Sequence, residues 1–176
     1  PNGISDKEFL DLKINWLIQN KKDKLLEEFL RKNENFHNKK KVIQYLVDKN
    51  IAKANLKLGC EKISFIGKDI KDAYLEKFKI YCLIFNENKN QAQLLYDILK
   101  EQNLSDKFFD DKINYLLNIS DKTSNKINEI NLLNFYLSSI TIKDFKYVPT
   151  KKTKKEIWKY LNAANLIILE DVQDEK

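Results

Sequence analysis

The sequence is poor in the residues that punctuate β structure. Among 176 residues there are only 3 glycines and 2 prolines, too few for the many tight turns of an all-β fold. Hydrophobic residues make up 43% of the chain, with 10 phenylalanines and 8 tyrosines, which is enough for a core. The charged third of the chain is typical of a solvated surface rather than of disorder. The composition therefore predicts helices.

Arginine is almost absent. A net charge of +6 and a pI near 9.1 are typical of nucleic-acid binding, but Arg31 is the only arginine among 32 basic residues. Arginine is the side chain best suited to bidentate phosphate and base recognition. The abundance of lysine, asparagine and isoleucine together indicates an A+T-rich genome. We therefore expect a protein partner, with nucleic acid as the alternative.

The residues of common catalytic and metal sites are scarce as well. His37 is the single histidine and lies in a polar run, so no base stands beside a nucleophile. The two cysteines do not complete a four-ligand zinc site, and three scattered glycines exclude a phosphate loop. We predict no catalysis, no metal and no cofactor. Cys60 and Cys82 each sit among apolar residues, and we expect reduced core thiols, with a disulfide as the alternative.

Long apolar runs and methionine are both missing. No run approaches the roughly 18 residues of a membrane helix, so we expect no membrane span. Because the sequence begins at Pro1 and has no methionine, we expect a fragment, a processed product or an engineered version of a longer protein. We expect a cytoplasmic location. A periplasmic location stays open, because the native N-terminus, where a signal peptide would stand, is expected to be missing from this sequence.

The most apolar stretch, residues 78–102, predicts two helices separated by a short polar turn at 86–90. The first of them has little polar face, and such a helix is stable only when neighbours cover it all round. The turn is short enough to force an antiparallel hairpin. We expect the chain to be organised around this hairpin.

A second hairpin of the same pattern is predicted at 6–20 and 23–32. Ser5 and Glu8 have the spacing of a capping box. Residues of its first helix match the later hairpin at an offset of 66, and residues of its second helix match at 69, which suggests an internal repeat. The apolar residues at helical spacing in the first helix are Phe9, Leu12, Trp16 and Leu17.

Further apolar periodicity predicts helices at 38–50, 51–66, 107–117, 127–138 and 153–164. Ser105 is the expected cap of the third of these, and Thr153 with Glu156 resembles another capping box. Gly67 is expected to be left-handed at a helix end, and Gly59 to mark a close helix approach. The sequence thus predicts an all-α fold of about nine helices in stacked antiparallel hairpins, as a short α-solenoid or a compact bundle. A single domain would span 1–169, followed by an acidic polar tail at 170–176.

The helix pairs resemble tetratricopeptide and related α-solenoid repeats. Ala92 and Tyr96, four apart after the turn, resemble the small and aromatic positions of the second tetratricopeptide helix. The stretch 80–83 is bulky where that family has a small residue, and the period is about twice the family's. The resemblance implies a scaffold that binds other proteins. The helical superhelix of soluble lytic transglycosylases is similar in the same loose sense, and implies the alternative of a non-catalytic part of a larger enzyme.

Two groups of residues are candidates for partner binding. A lysine run precedes an aromatic helix, a combination that suits RNA or an acidic partner. Exposed aromatic residues carry much of the energy of protein interfaces. The lysines are Lys151, Lys152, Lys154 and Lys155, and the aromatic candidates are Tyr74, Tyr81 and Trp158.

Overall fold

The fold is known from a computed structural model that describes residues 3–168. Within that range the chain forms nine α-helices, one 3-10 helix and no strand, which confirms the predicted all-α fold and helix number. The expected tail at 170–176 lies outside the described residues. The helices are α1 Asp6–Gln19, α2 Asp23–Lys32, α3 Lys39–Ala52, α4 Leu56–Glu61, the 3-10 helix Lys62–Phe65, α5 Ala73–Phe85, α6 Lys89–Glu101, α7 Lys107–Leu116, α8 Leu132–Thr141 and α9 Lys155–Ala163.

Most helices begin at a side-chain cap. The predicted capping box of α1 is confirmed, since the backbone N–H of Glu8 donates to Ser5 Oγ over 3.3 Å and that of Ser5 donates to Glu8 Oε2 over 2.8 Å. The predicted cap Ser105 is wrong, because the neighbouring Asp106 accepts from the start of α7 instead. Short Asn and Asp side chains accept orphan helix N–H groups well. They cap α4 to α8 as Asn55, Asp72, Asn88, Asp106 and Asn131.

Helix ends are closed by left-handed residues that are not glycine. Asn103, for example, has φ 56°, and the N–H of the next residue, Leu104, donates to Leu99 O over 3.1 Å. This arrangement satisfies helix carbonyls and allows a very short turn. The expectation for Gly67 is wrong, because no described glycine has positive φ. The same device follows five other helices, at Lys21, Ala54, Glu87, Asn118 and Asn165.

The helix at the centre of the fold is α3, not the hairpin at 78–102. It packs against α1, α2, α4, the 3-10 helix, α8 and α9, and its Val42, Ile43 and Val47 are fully buried. The α5–α6 hairpin is formed as predicted, and α5 is covered by α4, α6 and α7. In an open solenoid each repeat contacts only its neighbours. Since α3 also contacts α8 and α9 from the other end of the chain, the packing is that of a compact bundle.

The predicted helix at 51–66 is interrupted. α3 continues to Ala52, the left-handed residue Ala54 (φ 53°) reverses the chain, and Asn55 caps the new helix α4. Gly59 marks a close approach as expected, because a Cβ there would lie 3.3 Å from Phe78 Cζ of α5. The chain therefore reverses direction at Ala54, although the apolar periodicity of the sequence continues through that position.

The predicted helix at 127–138 starts later, at Leu132, because the preceding segment is held as a loop. Lys112 is fully buried, and its Nζ donates to Thr123 Oγ1 over 3.0 Å and to Ser124 O over 2.6 Å. Burial lowers the pKa of Lys112, and the carboxylate of Asp111 opposes that shift. A buried ammonium requires such acceptors. Residues 123 and 124 supply them. Further on, the N–H of Asn128 donates to Ser138 Oγ over 3.1 Å and Asn131 caps α8, so 127–131 stays outside the helix.

The predicted capping box at the start of α9 is also wrong. The residue at the N-cap is Lys154, which makes no side-chain cap. Thr153 Oγ1 instead accepts from the N–H of Thr150 over 2.9 Å and lies 2.9 Å from the hydroxyl of Tyr147. Its hydroxyl therefore closes the loop ahead of α9 rather than the helix.

The two cysteines form a disulfide, so the expectation of reduced thiols is wrong. Cys60 of α4 is bonded to Cys82 of α5, at a sequence separation of 22. The residues come together because α4 packs across α5 at Gly59. Disulfides persist mainly in oxidising compartments.

Candidate binding site

A cleft lies between α3, α9 and the end of α1. Its volume is about 760 Å³, within the usual range for ligand pockets. Two other clefts are smaller, at about 230 and 480 Å³. Apolar side chains of Ile18, Ala52 and Ala163 line the cleft together with the polar residues described below. We call this cavity the α3–α9 cleft.

Helical spacing explains why one side of α3 is open to the cleft while the rest is buried. Tyr45, Asp48, Lys49 and Ala52 stand at i, i+3, i+4 and i+7, which places them on one stripe of the helix. On α9, the cleft-lining residues likewise follow helical spacing, at i, i+3, i+6 and i+7. These are Glu156, Lys159, Asn162 and Ala163.

The cleft is rich in lysine. Lys21, Lys49, Lys53 and Lys159 all line it. Lys49 is engaged, because its ammonium binds the carboxylate of Asp23. Within residues 3–168, the ammonium groups of the other three have no carboxylate within 4.0 Å. Three ammonium groups without an ion pair, from three separate elements, therefore face one cavity, which the carboxylates of Asp48 and Glu156 also line.

One carboxylate lies at the buried edge of the cleft. Burial, the largest cause, raises the pKa of Asp48 to about 6, the hydrogen bond donated by the Tyr74 hydroxyl lowers it in part, and the charge of Glu156 raises it further. The same burial and the charge of Asp48 raise the pKa of Tyr74. Asp48 is thus ionised at neutral pH at some cost in stability. Perturbed ionisable groups in a cleft are typical of functional sites.

The predicted lysine run adjoins the cleft but does not line it. Lys151 and Lys152 are exposed in the turn before α9, and Lys154 Nζ donates to Ile130 O over 2.6 Å. Lys155 opens α9, and it stands one helical turn before the cleft residue Lys159. The predicted basic surface and the cleft are therefore joined along α9.

The three predicted aromatic anchors have different environments. Trp158 is 37% exposed, on α9. Tyr74 is half-buried and reaches the cleft only through its hydroxyl on Asp48. Tyr81 is buried, with 4% of its surface exposed, and its hydroxyl is hydrogen-bonded to that of Tyr136. An exposed role for Tyr81 is therefore wrong, because α5 turns this ring into the core.

Sequence reasoning missed the cleft residues themselves. α3 carries a polar stripe, in which Asp48 and Lys49 stand directly after the buried apolar residues Leu46 and Val47. That stripe is the one signal that α3, although central, keeps a side uncovered. Nothing local indicates that Lys53 and Lys159, more than a hundred positions apart, face the same cavity.

Within residues 3–168 no group of three or more His, Cys, Asp or Glu side chains is placed to hold a metal ion. Among those residues no helix has the length and apolar character needed to cross a bilayer.

Comparison of the chain with protein-family models, with curated proteins and with solved structures finds no match. The tetratricopeptide resemblance therefore stays a hypothesis, and function has to be argued from the α3–α9 cleft.

Proposed function

We propose that this chain is a non-catalytic helical module whose α3–α9 cleft binds an acidic, partly apolar segment of a partner protein. The observation that carries the proposal is the convergence of Lys21, Lys53 and Lys159, without ionic partners among the described residues, around a cavity of about 760 Å³. A carboxylate-bearing segment would neutralise these ammonium groups. Its apolar side chains would contact Ile18 and Ala163.

The composition of the cleft favours an acidic protein segment over nucleic acid. None of its lining residues is arginine, the side chain that recognises phosphate and bases in bidentate fashion. None of them is a tryptophan or a phenylalanine on which a base would stack, and the ring of Tyr45 carries a hydroxyl that is hydrogen-bonded to Asp23. Lysines around an apolar floor suit dispersed carboxylates better.

A second candidate function has one specific observation in its favour. Lys155 and Lys159 stand one turn apart on α9, next to the exposed ring of Trp158, and the lysine run continues from there into the preceding turn. This strip suits single-stranded RNA better than the cleft does. The same experiment separates the two functions.

A titration followed by backbone amide NMR tests the proposal. The probe is an octapeptide of six glutamates around two central leucines, and the RNA control is a twelve-residue oligouridine. We expect the peptide to shift the amides of Ala52, Lys53 and Ala163, with an affinity that falls as salt rises. Shifts confined to 151–158, and larger with RNA than with peptide, would support the second function and contradict the first.

Two matched lysine variants locate the site. Lys53 lines the cleft and Lys57, four positions further along the chain in α4, does not, and both are exposed. Lys53→Glu should weaken peptide binding by roughly 5- to 10-fold, because it replaces an attraction with a repulsion. Lys57→Glu should change it less than about 2-fold. Equal effects of the two variants would mean that only net charge matters.

A further inference from the structure

The α3–α9 cleft contains two carboxylates among its lysines. Asp48 of α3 and Glu156 of α9 both line it, and the charge of Glu156 acts on Asp48. Within residues 3–168, no lysine, arginine or histidine nitrogen lies within 4.0 Å of either carboxylate. When they are ionised, these two groups therefore repel the acidic ligand that the cleft lysines attract.

The carboxylate of Asp48 is held differently from that of Asp23, at the start of α2. Asp23 accepts a hydrogen bond from the hydroxyl of Tyr45 over 2.9 Å and forms an ion pair with Lys49. Among the described residues, Asp48 accepts only from the uncharged hydroxyl of Tyr74. Burial with one neutral donor, no cation and a second carboxylate nearby favours the protonated form of a carboxyl group. In keeping with this geometry, burial raises the pKa of Asp48 to about 6.

We propose that protonation of Asp48 strengthens the binding of an acidic segment to the α3–α9 cleft, so that the site binds its partner more tightly in mildly acidic than in neutral solution. This regulation rests on the function proposed above. Loss of the Asp48 charge removes a repulsion beside the lysines and leaves the lysines themselves unchanged. Linkage requires the converse as well, so a bound acidic segment disfavours the ionised form of Asp48 and is accompanied by proton uptake.

The other charged and titratable groups of the cleft come from four parts of the chain. α4, the 3-10 helix and α8, which also pack against α3, contribute no residue to its lining. Lysine, glutamate and tyrosine side chains ordinarily titrate outside the range from pH 5 to 7.5. Asp48 is therefore the group expected to change charge there. The groups that surround it are Lys21, Lys49, Lys53, Tyr74, Glu156 and Lys159.

The single histidine lies outside the cleft and provides a control. His37 precedes α3, and its Nδ1 lies 3.0 Å from Asp11 Oδ1. It is not among the residues that line the cleft. Histidine is the side chain that most often titrates between pH 5 and 8. His37→Gln therefore shows whether a pH effect on binding arises away from Asp48.

The expected effect is set by the repulsion between Asp48 and a bound carboxylate. At a separation of about 10 Å and an effective dielectric constant of about 20, this repulsion disfavours ionised Asp48 by roughly 10-fold. Salt weakens the repulsion. We therefore expect binding to be roughly 2- to 6-fold tighter at pH 5.5 than at pH 7.5, with an uptake of about 0.3–0.5 proton at pH 6.5.

Isothermal titration calorimetry with the glutamate–leucine octapeptide, at pH 5.5, 6.5 and 7.5 and constant ionic strength, tests the proposal. At pH 6.5, buffers of different ionisation enthalpy measure the proton uptake. Asp48→Asn should bind equally at all three pH values, about as tightly as the wild type does at pH 5.5. Tyr74→Phe removes the hydrogen bond that lowers the pKa of Asp48, and should move the change in affinity to higher pH. His37→Gln should behave as the wild type.

The outcomes separate this regulation from the function on which it rests. A peptide that binds the wild type equally at the three pH values would overturn the regulation and leave the proposed function standing. A pH effect that survives in Asp48→Asn, or that His37→Gln abolishes, would also overturn it. No binding at any pH would overturn both, whereas binding detected only at pH 5.5 would support both. Circular dichroism of each protein at each pH checks that the fold is retained.

Discussion

The hairpin α1–α2 and the hairpin α5–α6 are built on the same turn. The residue after each first helix is followed by a left-handed residue, Lys21 at φ 52° and Glu87 at φ 62°. In both turns the next backbone N–H donates to a carbonyl five residues back, over 2.9 and 2.8 Å. Both first helices are apolar on two faces. They differ in cover, because α5 has α4 across its outer face and α1 has no helix there among the described residues.

This difference shows that a helix face made of apolar residues is not necessarily buried. Phe9 and Leu75 occupy corresponding positions, yet one is 63% exposed and the other is fully buried. Which of two apolar faces is covered depends on the neighbours that a helix meets, and those are set by the path of the chain elsewhere. The comparison can therefore be tested by changing the faces and the cover one at a time.

The largest effect is expected from truncating the covered face. Phe78→Ala removes a ring that is fully buried under α4, and it should lower the free energy of unfolding by about 3–5 kcal/mol, through lost burial and a residual cavity. Phe9→Ala, on the open face, should change it by less than about 0.5 kcal/mol. Urea denaturation measures both. Similar losses for the two variants would mean that the faces do not differ in cover.

A smaller loss of stability is expected from breaking the Cys60–Cys82 disulfide, which holds α4 against α5. Reduction of the Cys60–Cys82 disulfide should lower the free energy of unfolding by about 3 kcal/mol, since the bond closes a loop of 22 residues in the unfolded chain. Urea denaturation with and without dithiothreitol measures the change. The variant with both cysteines replaced by alanine serves as the control and should not respond to the reductant. Two titratable thiols in the unreduced protein would contradict the bond.

The parts of the fold that sequence predicted are local ones. The Ser5 capping box, the bounds of α2 and the turns of both hairpins depend on residues within a few positions of one another. The loop ahead of α8 depends instead on contacts that an apolar pattern does not reveal, those of Lys112 Nζ with Thr123 and Ser124 and that of the Asn128 N–H with Ser138 Oγ. The capping box at Thr153 failed for a related reason, because Tyr147 competes for its hydroxyl.

The candidate site was predicted only at its margin. The run that contains Lys155 was chosen for its density of charge, and it leads along α9 to the cleft. The cleft itself is formed by helices from the two halves of the chain, so Asp48 and Glu156 become neighbours only in the folded protein. The disulfide has the same origin. Its two cysteines lie 22 positions apart and meet because α4 crosses α5.

The contrast between covered and open surfaces also applies to the α3–α9 cleft, where the ionised side chain of Asp48 is partly buried. The folded-state pKa of Asp48, about 6, is above its ordinary value of 3.8, so the charged form is disfavoured by folding. The penalty is full above pH 6 and disappears as pH falls below 4, once both the folded and the unfolded states are protonated. Asp48→Asn keeps an acceptor for Tyr74 and removes the charge. It should raise the free energy of unfolding at pH 7.5 by about 2 kcal/mol.

Urea denaturation of the wild type and of Asp48→Asn between pH 4 and 8 measures this effect. The difference between the two proteins should shrink toward zero at pH 4, whereas the contributions of other carboxylates cancel in the subtraction. A difference that is constant with pH would show that the carboxylate is not disfavoured by folding.

The smallest effect on stability is expected where α4 approaches α5 most closely, at Gly59. A Cβ on Gly59 would lie 3.3 Å from Phe78 Cζ and 3.4 Å from Asn50 Cβ, so alanine would force these neighbours apart. The helix propensity gained by replacing glycine is worth about 0.5–1 kcal/mol, but overpacking in a filled core costs about 1–3 kcal/mol. Gly59→Ala should therefore lower the free energy of unfolding by about 1 kcal/mol in urea denaturation.

Gly67→Ala is the matched control, because no atom lies within 4 Å of the added methyl group and φ is not positive. That variant should be neutral or more stable by up to about 1 kcal/mol, since alanine restricts the unfolded chain. Combining Gly59→Ala with Phe78→Leu should recover part of the loss that Phe78→Leu causes alone, because the smaller side chain leaves room for the methyl group. Additive losses in the double variant would mean that Gly59 and Phe78 are not in contact, and that α4 covers α5 less closely than the disulfide beside them implies.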